Sequence, residues 1–322
     1  MKEWSERLNF DPFIKFLSTN NEILQYFVKR DLLVEEVGSI EEIWELTSVL
    51  RIINKQHEDG SWQYPMSKND LRSQENYNQI ETYRQLGFLI EKYGLNNHHQ
   101  AIQKAAEFLF SFQTEEGDFR GIYGNQYSPN YTAGIMELLI KAGYQDDPRI
   151  KKGFKWLLST RQDDGGWAIP IRTNNAKWSD VLNDPEPLEP KRVKPFSHMV
   201  TGVVLRAFSA HSKYRNLQDA KLAGELLVSR FFKPDKYPDR KAVDYWFKVS
   251  FPFWFTDIIS SLDTLSNLEF TLSHPQIDLA LKTLRDRQLE NGLWDLKLLR
   301  TKDKDLHLWI ALVVCRIFKK FY

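Results

Sequence analysis

The side chains of this sequence that are the best candidates for acid–base chemistry are two histidines and an aspartate, which lie near aromatic or apolar residues. Asp257 follows the aromatic run 251–255, His307 precedes Trp309 by two positions, and His198 opens an apolar helical pattern. A histidine within hydrogen-bond reach of Asp257 would serve as a general acid or base. Each residue also has a structural interpretation, because an aspartate in a first turn can cap the helix and a buried histidine is commonly hydrogen-bonded.

The sequence offers few residues that could bind a metal or form a disulfide. The single cysteine, Cys315, excludes an intramolecular disulfide and follows the apolar run 311–314. The acid pair Asp146 and Asp147 precedes Pro148. We interpret this pair as the start of a helix, where negative charge is favourable. We therefore predict no metal site and no cofactor.

The overall charge excludes several classes of partner. The 322 residues contain 44 Lys and Arg against 43 Asp and Glu, for a net charge of +1. This balance supplies no field to draw the chain onto nucleic acid or an anionic membrane. The longest apolar run, 308–314, is far shorter than the ~20 residues of a membrane span. The first residues carry acids and no apolar signal segment, so we predict a cytoplasmic protein.

One phrase recurs along the chain: an apolar helix end, a glutamine, a polar turn, a glycine and an aromatic residue. Its four copies, the Gln phrases, pair Gln56 with Trp62, Gln113 with Phe119, Gln162 with Trp167, and Gln288 with Trp294. The glycine suits a left-handed helix cap, and the aromatic residue can fold back on the helix that it follows. The glutamine amide can bond backbone groups at a neighbouring helix end. We interpret the Gln phrases as structural.

Between the Gln phrases the chain follows the 3.6-residue periodicity of helices. The pattern predicts a short segment at 11–18 and helices at 20–33, 40–56, 77–94, 98–113, 130–143, 147–162, 196–211, 216–232, 252–268, 274–288 and 304–320. Gly94 and Gly143 are predicted C-caps, and Pro148, Pro252 and Pro275 are predicted in first turns. Strand signals are nearly absent, which indicates an all-α fold.

Two kinds of predicted helix alternate. Those that end in a Gln phrase carry charges on one face, whereas their partners, such as 130–143, are apolar and rich in small residues. This alternation predicts an outer and an inner layer of about six helices each. The segment 11–18 fills a gap in the outer layer beside the C-terminal helix, so that the termini meet and the ring closes.

The Gln phrases resemble the QW motifs of squalene and oxidosqualene cyclases and the related repeats of protein prenyltransferase β subunits. The resemblance covers about residues 20–320 and extends to uncharacterised prokaryotic squalene cyclase-like proteins. It implies an α/α toroid that forms a single domain over residues 1–322.

The catalytic signatures of those families do not occur in this sequence. Tyr144 stands where the first acid of a D-x-D-D motif would precede Asp146 and Asp147, and no D-D-x-x-D motif is present. No Asp-x-Cys string offers the zinc ligands of prenyltransferases. The resemblance thus implies an apolar, isoprenoid-type ligand, transfers no catalytic residue and leaves open whether the protein is an enzyme.

The resemblance also indicates where a ligand would bind, because the inner helices of such a ring start at one mouth of a central cavity. Ligand-binding candidates at these helix starts are Tyr77, Glu81, Tyr83, Tyr127, Tyr131, Trp246, Phe253, Trp254 and Trp309; the catalytic candidates are Asp257, His198 and His307. Aromatic walls suit an apolar or cationic ligand. The alternative interpretation is that these aromatic residues fill a core.

The segment 168–195 departs from the helical rhythm and is long for a connection. We predict a lid or loop insertion with Trp178 as its point of attachment, or a surface excursion. Three functions stay open: an isoprenoid-binding and isoprenoid-transforming protein, a non-catalytic ligand-binding protein or scaffold, and a carbohydrate-active lyase or hydrolase.

Overall fold

The computed structural model describes residues 3–65, 76–299 and 303–322, and these residues are predominantly helical. In chain order the helices are α1 (Phe13–Ser18), α2 (Glu22–Phe27), α3 (Glu41–Trp44), α4 (Thr47–Ile53), α5 (Tyr77–Glu91), α6 (Gln100–Phe110), α7 (Pro129–Leu139), α8 (Pro148–Ser159), α9 (Pro170–Thr173), α10 (Trp178–Val181), α11 (His198–Ala210), α12 (Gln218–Val228), α13 (Ile258–Asn267), α14 (Pro275–Asp286) and α15 (Leu306–Phe321). Strands β1 (Lys248–Val249) and β2 (Lys297–Leu298) form one short parallel pair. The prediction of a mostly helical chain is confirmed.

The chain forms two compact units. Unit 1 combines residues 1–39 with 224–322, and unit 2 comprises residues 40–223. The closed ring of about six inner and six outer helices, and the single domain over 1–322, stay predictions.

Unit 2 has two layers of helices. Its inner layer consists of α5, α7 and α11, with α7 packed between the other two. Side-chain caps start each of these helices, at Asn76, Ser128 and Ser197. Helices α6 and α8 pack on α5 and α7 and keep their lysines at the surface. The predicted alternation of apolar and charged helices therefore holds in this unit.

The glutamine amides of the Gln phrases bind backbone carbonyls, as expected. Gln56 Nε2 donates to Gly60 O at 3.0 Å and to Ala101 O at 2.8 Å, in the first turn of α6. Gln113 repeats the arrangement with Gly117 O and with Arg149 O in the first turn of α8, both at 2.8 Å. Each amide thus joins its own turn to the start of the next outer helix, past the inner helix that lies between them in the chain.

The aromatic residues of the phrases fold back on the preceding helix, as predicted. The indole Nε1 of Trp62 donates to Ile52 O, that of Trp167 to Leu157 O and that of Trp294 to Leu284 O, at 2.7–3.0 Å. In every case the acceptor lies ten residues earlier in the chain.

A threonine of the inner layer completes three of the phrases. The backbone N–H groups of Trp62, Phe119 and Trp167 donate to the hydroxyls of Thr82, Thr132 and Thr201, at 2.9–3.0 Å. These hydroxyls satisfy buried backbone donors that no helix or strand pairs. The threonines connect each phrase to the inner helix that follows it.

The glycine of the phrase permits close approach of the next outer helix, which is α6 for Gly60 and α8 for Gly117. Gly60 has a φ of +90°, and a Cβ there would lie 2.2 Å from Lys104 O. Gly117 has a φ of +112°, and a Cβ there would lie 2.5 Å from Lys152 O. A side chain at either position would strain the backbone, because φ is positive, and would collide with the carbonyl of the neighbouring helix.

In unit 1 the N-terminal segment packs with the C-terminal helices. Gln288 Nε2 donates to Phe10 O at 2.8 Å, and Asn9 N donates to Gln288 Oε1 at 2.9 Å. Residues Glu3–Arg7 form a 3₁₀ turn that contacts α15. The expected meeting of the two ends of the sequence is confirmed.

Two predicted helices differ from the structure. The predicted helix 252–268 begins only at Ile258, because Asp257 forms a capping box with Ser260. Pro252 therefore lies outside the helix and not in its first turn. The predicted helix 40–56 is divided into α3 and α4. None of the helices in the described ranges combines the length and apolar content of a transmembrane segment.

Candidate functional site

Four aromatic rings form a connected group at the start of the inner layer of unit 2. The ring of Tyr131 lies 6.1 Å from that of Tyr83 and 5.1 Å from that of Tyr123. The ring of Tyr123 in turn lies 4.4 Å from that of Trp178. Tyr83 is buried, whereas Tyr123, Tyr131 and Trp178 are half-buried. We call these four residues the aromatic surface.

Local structure holds two of these rings in place. Ser128 caps α7 and Pro129 is its first residue, so that the side chain of Tyr131 extends from the first turn of the helix. Tyr123 lies in a tight turn that is closed by a hydrogen bond from Gly121 N to Gly124 O, at 3.0 Å. The carbonyl of Gly121 also accepts the N–H of Asn76, which joins this turn to the start of α5.

The segment 168–195 is attached to the same turn. Gln126 is the central contact: its Nε2 donates to Val181 O at 2.9 Å, and its Oε1 accepts the N–H of Leu188 at 2.9 Å. Trp178 opens the short helix α10 and places its ring on Tyr123, with the Arg172 guanidinium 5.2 Å from the indole. Trp178 thus contacts the same turn that Gln126 bonds to the segment; a lid or a surface excursion over 168–195 stays a prediction.

A cavity of about 850 Å³ lies between α4 and α5. It is lined by Arg51, Ile52, Asn54, Lys55, Gln56, His57, Trp62, Gln63, Tyr64, Pro65, Glu81 and Gln85. Glu81 is buried, with Oε2 bonded to Arg84 at 2.6 Å and Oε1 bonded to Gln85 at 2.5 Å. Tyr64 connects the cavity to the start of α5, since its ring lies 5.2 Å from that of Tyr77.

A buried ion network crosses the inner layer next to Tyr83. Arg206 Nε donates to Glu137 Oε2 at 2.8 Å, and both side chains are 3% exposed. Lys141 joins Glu137 at 2.8 Å and Glu91 at 2.5 Å. Burial alone would raise the pKa of Glu137, but Arg206 and Lys141 outweigh that effect and lower it. Burial also raises the pKa of Tyr83, which keeps this phenol neutral.

Part of unit 2 matches a known protein family. Residues 81–177 match the family model for the squalene-hopene cyclase C-terminal domain. Over this stretch the chain is squalene cyclase-like. The squalene-hopene cyclase of Schizosaccharomyces japonicus is 38% identical over 58 residues, which make up 18% of this chain and 9% of that protein. The predicted resemblance to squalene cyclases is confirmed.

Solved structures that superpose on this chain at TM-scores below 0.5 include type II terpene cyclases. A variant of the cyclase MstE from Scytonema, in complex with its substrate geranylgeranyl dihydroxybenzoate, is 11% identical, with a TM-score of 0.47. The superposition covers 92% of this chain and 86% of that one. A protein from Actinoplanes gives a TM-score of 0.32 at 13% identity and covers 88% of this chain and 99% of its own.

The squalene cyclase-like region contains four of the predicted ligand-binding residues, and the structure separates them. Tyr83 and Tyr131 belong to the aromatic surface, and Glu81 lines the cavity. Tyr127 is placed differently from our expectation. Its ring packs on Trp156 of α8 and its hydroxyl donates to Glu116 Oε2 at 2.6 Å, so it supports the outer layer.

Tyr77 and His198 also lie in unit 2. Tyr77 begins α5 and is half-buried against Tyr64. His198 begins α11 behind its Ser197 cap and is 4% exposed. The cap that we expected from Ser197 is confirmed, since its Oγ accepts Val200 N. A paired role for His198 and Asp257 in acid–base chemistry stays a prediction.

The remaining predicted residues lie in unit 1 and have mostly structural surroundings. Asp257 is 1% exposed, and its Oδ1 accepts Ser260 N at 2.8 Å, which confirms the alternative interpretation of a helix cap. Trp309 and Phe253 are buried around Phe251, with ring distances of 5.7 Å for both pairs. Further along, Trp246 donates its indole N–H to Lys233 O, Trp254 is half-buried and His307 is exposed.

Sequence reasoning missed several residues of this site. Tyr64 and Tyr123 precede Pro65 and Gly124, so an aromatic residue beside a turn residue was the available signal. Arg51 and Lys55 face the cavity from one side of α4 and its C-terminal end. Their spacing of four residues would have placed them on one helix face.

Proposed function

We propose that this protein binds an apolar, isoprenoid-type small molecule against the aromatic surface of Tyr83, Tyr123, Tyr131 and Trp178. The observation that carries the proposal is the connected run of rings, three of them half-buried, within and beside the squalene cyclase-like region. Ring faces offer a large contact area to alkenes and attract positive charge. Ligand pockets in proteins are lined mainly by apolar and aromatic side chains.

The matched family supports the choice of ligand class. The matched relative is by name a squalene-hopene cyclase, so an isoprenoid chain is the ligand that we propose here. The proposal concerns binding first. Of the predicted acid–base residues, His198 is the one that shares unit 2 with the aromatic surface, and it stays our candidate for any proton transfer.

We also propose that the segment 168–195 acts as a lid for this ligand. Trp178 belongs both to the segment and to the aromatic surface, so movement of the segment would remove one ring from the wall. Gln126 holds the segment through two backbone contacts at 2.9 Å. Entry of a long apolar chain would then require release of these contacts.

Calorimetric titration of the purified protein with farnesol and geranylgeraniol tests the binding proposal. We expect saturable binding of one molecule per chain, weakened at least about tenfold by Tyr131→Ala, which corresponds to about 1.4 kcal/mol. Tyr131→Phe keeps the ring and should bind as the unchanged protein does. Tyr144→Ala is the matched control, because Tyr144 is half-buried beyond the other end of the same helix.

Two results would contradict the proposal. The first is that neither alcohol binds. The second is binding whose affinity is unchanged in both Tyr131→Ala and Tyr123→Ala.

A further inference from the structure

The cavity between α4 and α5 carries an unusual charge arrangement. Three basic residues line it: Arg51, Lys55 and His57. Arg51 and Lys55 are four residues apart on α4 and just beyond its end, so they extend from the same side. All three are exposed at the rim, whereas Glu81 and Trp62 form the buried part of the lining.

In the described part of the chain, two acids at or near this cavity have other partners. Glu81 has both carboxylate oxygens engaged by Arg84 and Gln85 of its own helix. Asp59, two residues after His57, accepts the N–H of Ser61 at 2.9 Å. Among the described residues neither Arg51 nor Lys55 forms an ion pair, although Arg84, Arg120, Arg149 and Arg206 of the same unit all do.

We propose that this cavity is a binding site for a phosphate-bearing group. A guanidinium and an ammonium group on residues that line one cavity can provide the fork and the point charge that phosphate oxygens bind best. Asn54 and Gln63 add neutral donors to the same lining. A volume of about 850 Å³ also admits more than the anion itself.

The aromatic part of the lining indicates what else the ligand carries. Trp62 is held by its indole bond to Ile52 O, and Tyr64 extends the wall to Tyr77 at the start of α5. An organic group attached to the phosphate would contact these rings. The phosphate site does not rest on the proposed function, because none of its residues belongs to the aromatic surface.

Calorimetry with inorganic pyrophosphate tests the site directly on the full chain. We expect one site per chain, weakened at least about tenfold by the double change Arg51→Gln and Lys55→Gln, and weakened also by added salt. The matched control is Lys151→Gln with Lys155→Gln. It removes the same charge from two exposed residues with the same spacing on α8, outside the cavity.

A second titration distinguishes free phosphate from a phosphorylated organic ligand. If phenyl phosphate, which carries no isoprenoid chain, binds more tightly than inorganic phosphate, and Tyr64→Ala removes the difference, the cavity holds the head group of an organic ligand. Equal affinity for both probes assigns the cavity to the free anion. The phosphate site is overturned if pyrophosphate fails to bind, or if the control pair of substitutions weakens binding as much as the cavity pair does.

Discussion

At the residue scale, three threonines carry a structural role that the sequence pattern does not reveal. Thr82, Thr132 and Thr201 are fully buried, and each hydroxyl accepts the backbone N–H of a Gln-phrase aromatic residue. The phrase itself was recognisable because its glutamine, glycine and aromatic residue recur in order. Its threonine partner lies 13 to 34 residues away, so only the fold brings the two together.

Replacing Thr201 by valine keeps the shape of the side chain and removes the acceptor. We expect a loss of about 1–3 kcal/mol in the free energy of unfolding, because the Trp167 N–H becomes a buried donor without a partner. Urea denaturation measures this loss, and Thr201→Ser, which restores a hydroxyl, is the control. A valine variant as stable as the unchanged protein, beside a less stable serine variant, would show that packing and not the hydrogen bond matters here.

The buried pair of Glu137 and Arg206 predicts a specific dependence of stability on pH. The pKa of Glu137 is lowered from its ordinary value of 4.5 in the folded protein. The carboxylate therefore stabilises the fold above pH 4.5, and this contribution is lost as the pH falls through the lower folded-state pKa.

Glu137→Gln should remove that part of the acid sensitivity and cost about 3–5 kcal/mol near neutral pH, because Arg206 stays buried without its carboxylate. Urea midpoints measured from neutral to acidic pH test both expectations. The control is Glu91→Gln, which breaks a more exposed contact to Lys141 and should cost no more than about 1 kcal/mol. Equal losses for the two variants would contradict this account of the network.

At the element scale, most helices were predictable because their apolar periodicity and capping residues agree. Helices α8 and α14 begin at Pro148 and Pro275, as expected, and Gly94 and Gly143 have the positive φ of helix ends. Helix α13 was predicted six residues too early. The proline signal at Pro252 suggested a first turn, but the capping box of Asp257 and Ser260 sets the start.

The site was less predictable than the helices that carry it. Tyr83 and Tyr131 could be chosen from their places in inner helices, but Tyr123 lies in a turn whose position depends on α5 and on the segment 168–195. Tyr127 has the same residue type as Tyr131 and lies one turn earlier. It lies before the Ser128 cap and therefore outside α7, where it contacts Glu116 and Trp156.

The attachment of the segment 168–195 by Gln126 leads to a prediction about local opening. Gln126→Ala removes both contacts to Val181 and Leu188 and should accelerate cleavage by trypsin after the exposed Lys191 and Arg192. Local opening of this kind costs less than global unfolding. Limited proteolysis followed by mass spectrometry measures the rate.

Gln103→Ala is the control for this experiment, because Gln103 lies on α6 and its amide donates to Asn97 O, far along the chain from the segment. Similar cleavage rates for Gln126→Ala and the unchanged protein would mean that Gln126 does not hold the segment.

At the scale of the whole molecule, helical periodicity and the lack of strand signals made the mostly helical class predictable from the sequence. The Gln phrases are local devices: in both units the glutamine amide binds backbone carbonyls, and where the aromatic residue is Trp its indole donates to the preceding helix. The sequence also indicated that its two ends meet, which the contacts between Gln288 and Phe10 confirm. Closure of the helices into one ring stays a prediction, because it depends on long-range packing that no single phrase encodes.

The same reasoning explains why function was harder to predict than fold. The contacts of the Gln phrases explain structure and indicate no reaction, and the family signatures for protonation or metal binding are missing from the sequence. The candidate site combines side chains from two inner helices, a turn and the segment 168–195, which only packing brings together. Our central claim is that the aromatic surface among them receives an isoprenoid chain.

A crystal structure of the protein with a bromine-labelled isoprenoid alcohol tests this claim most directly. The account predicts anomalous bromine density in van der Waals contact with the rings of Tyr131 and Tyr123, and its loss in crystals of Tyr131→Ala. Density found only away from these rings would contradict it, as would rings that stay covered by protein side chains while the alcohol is bound.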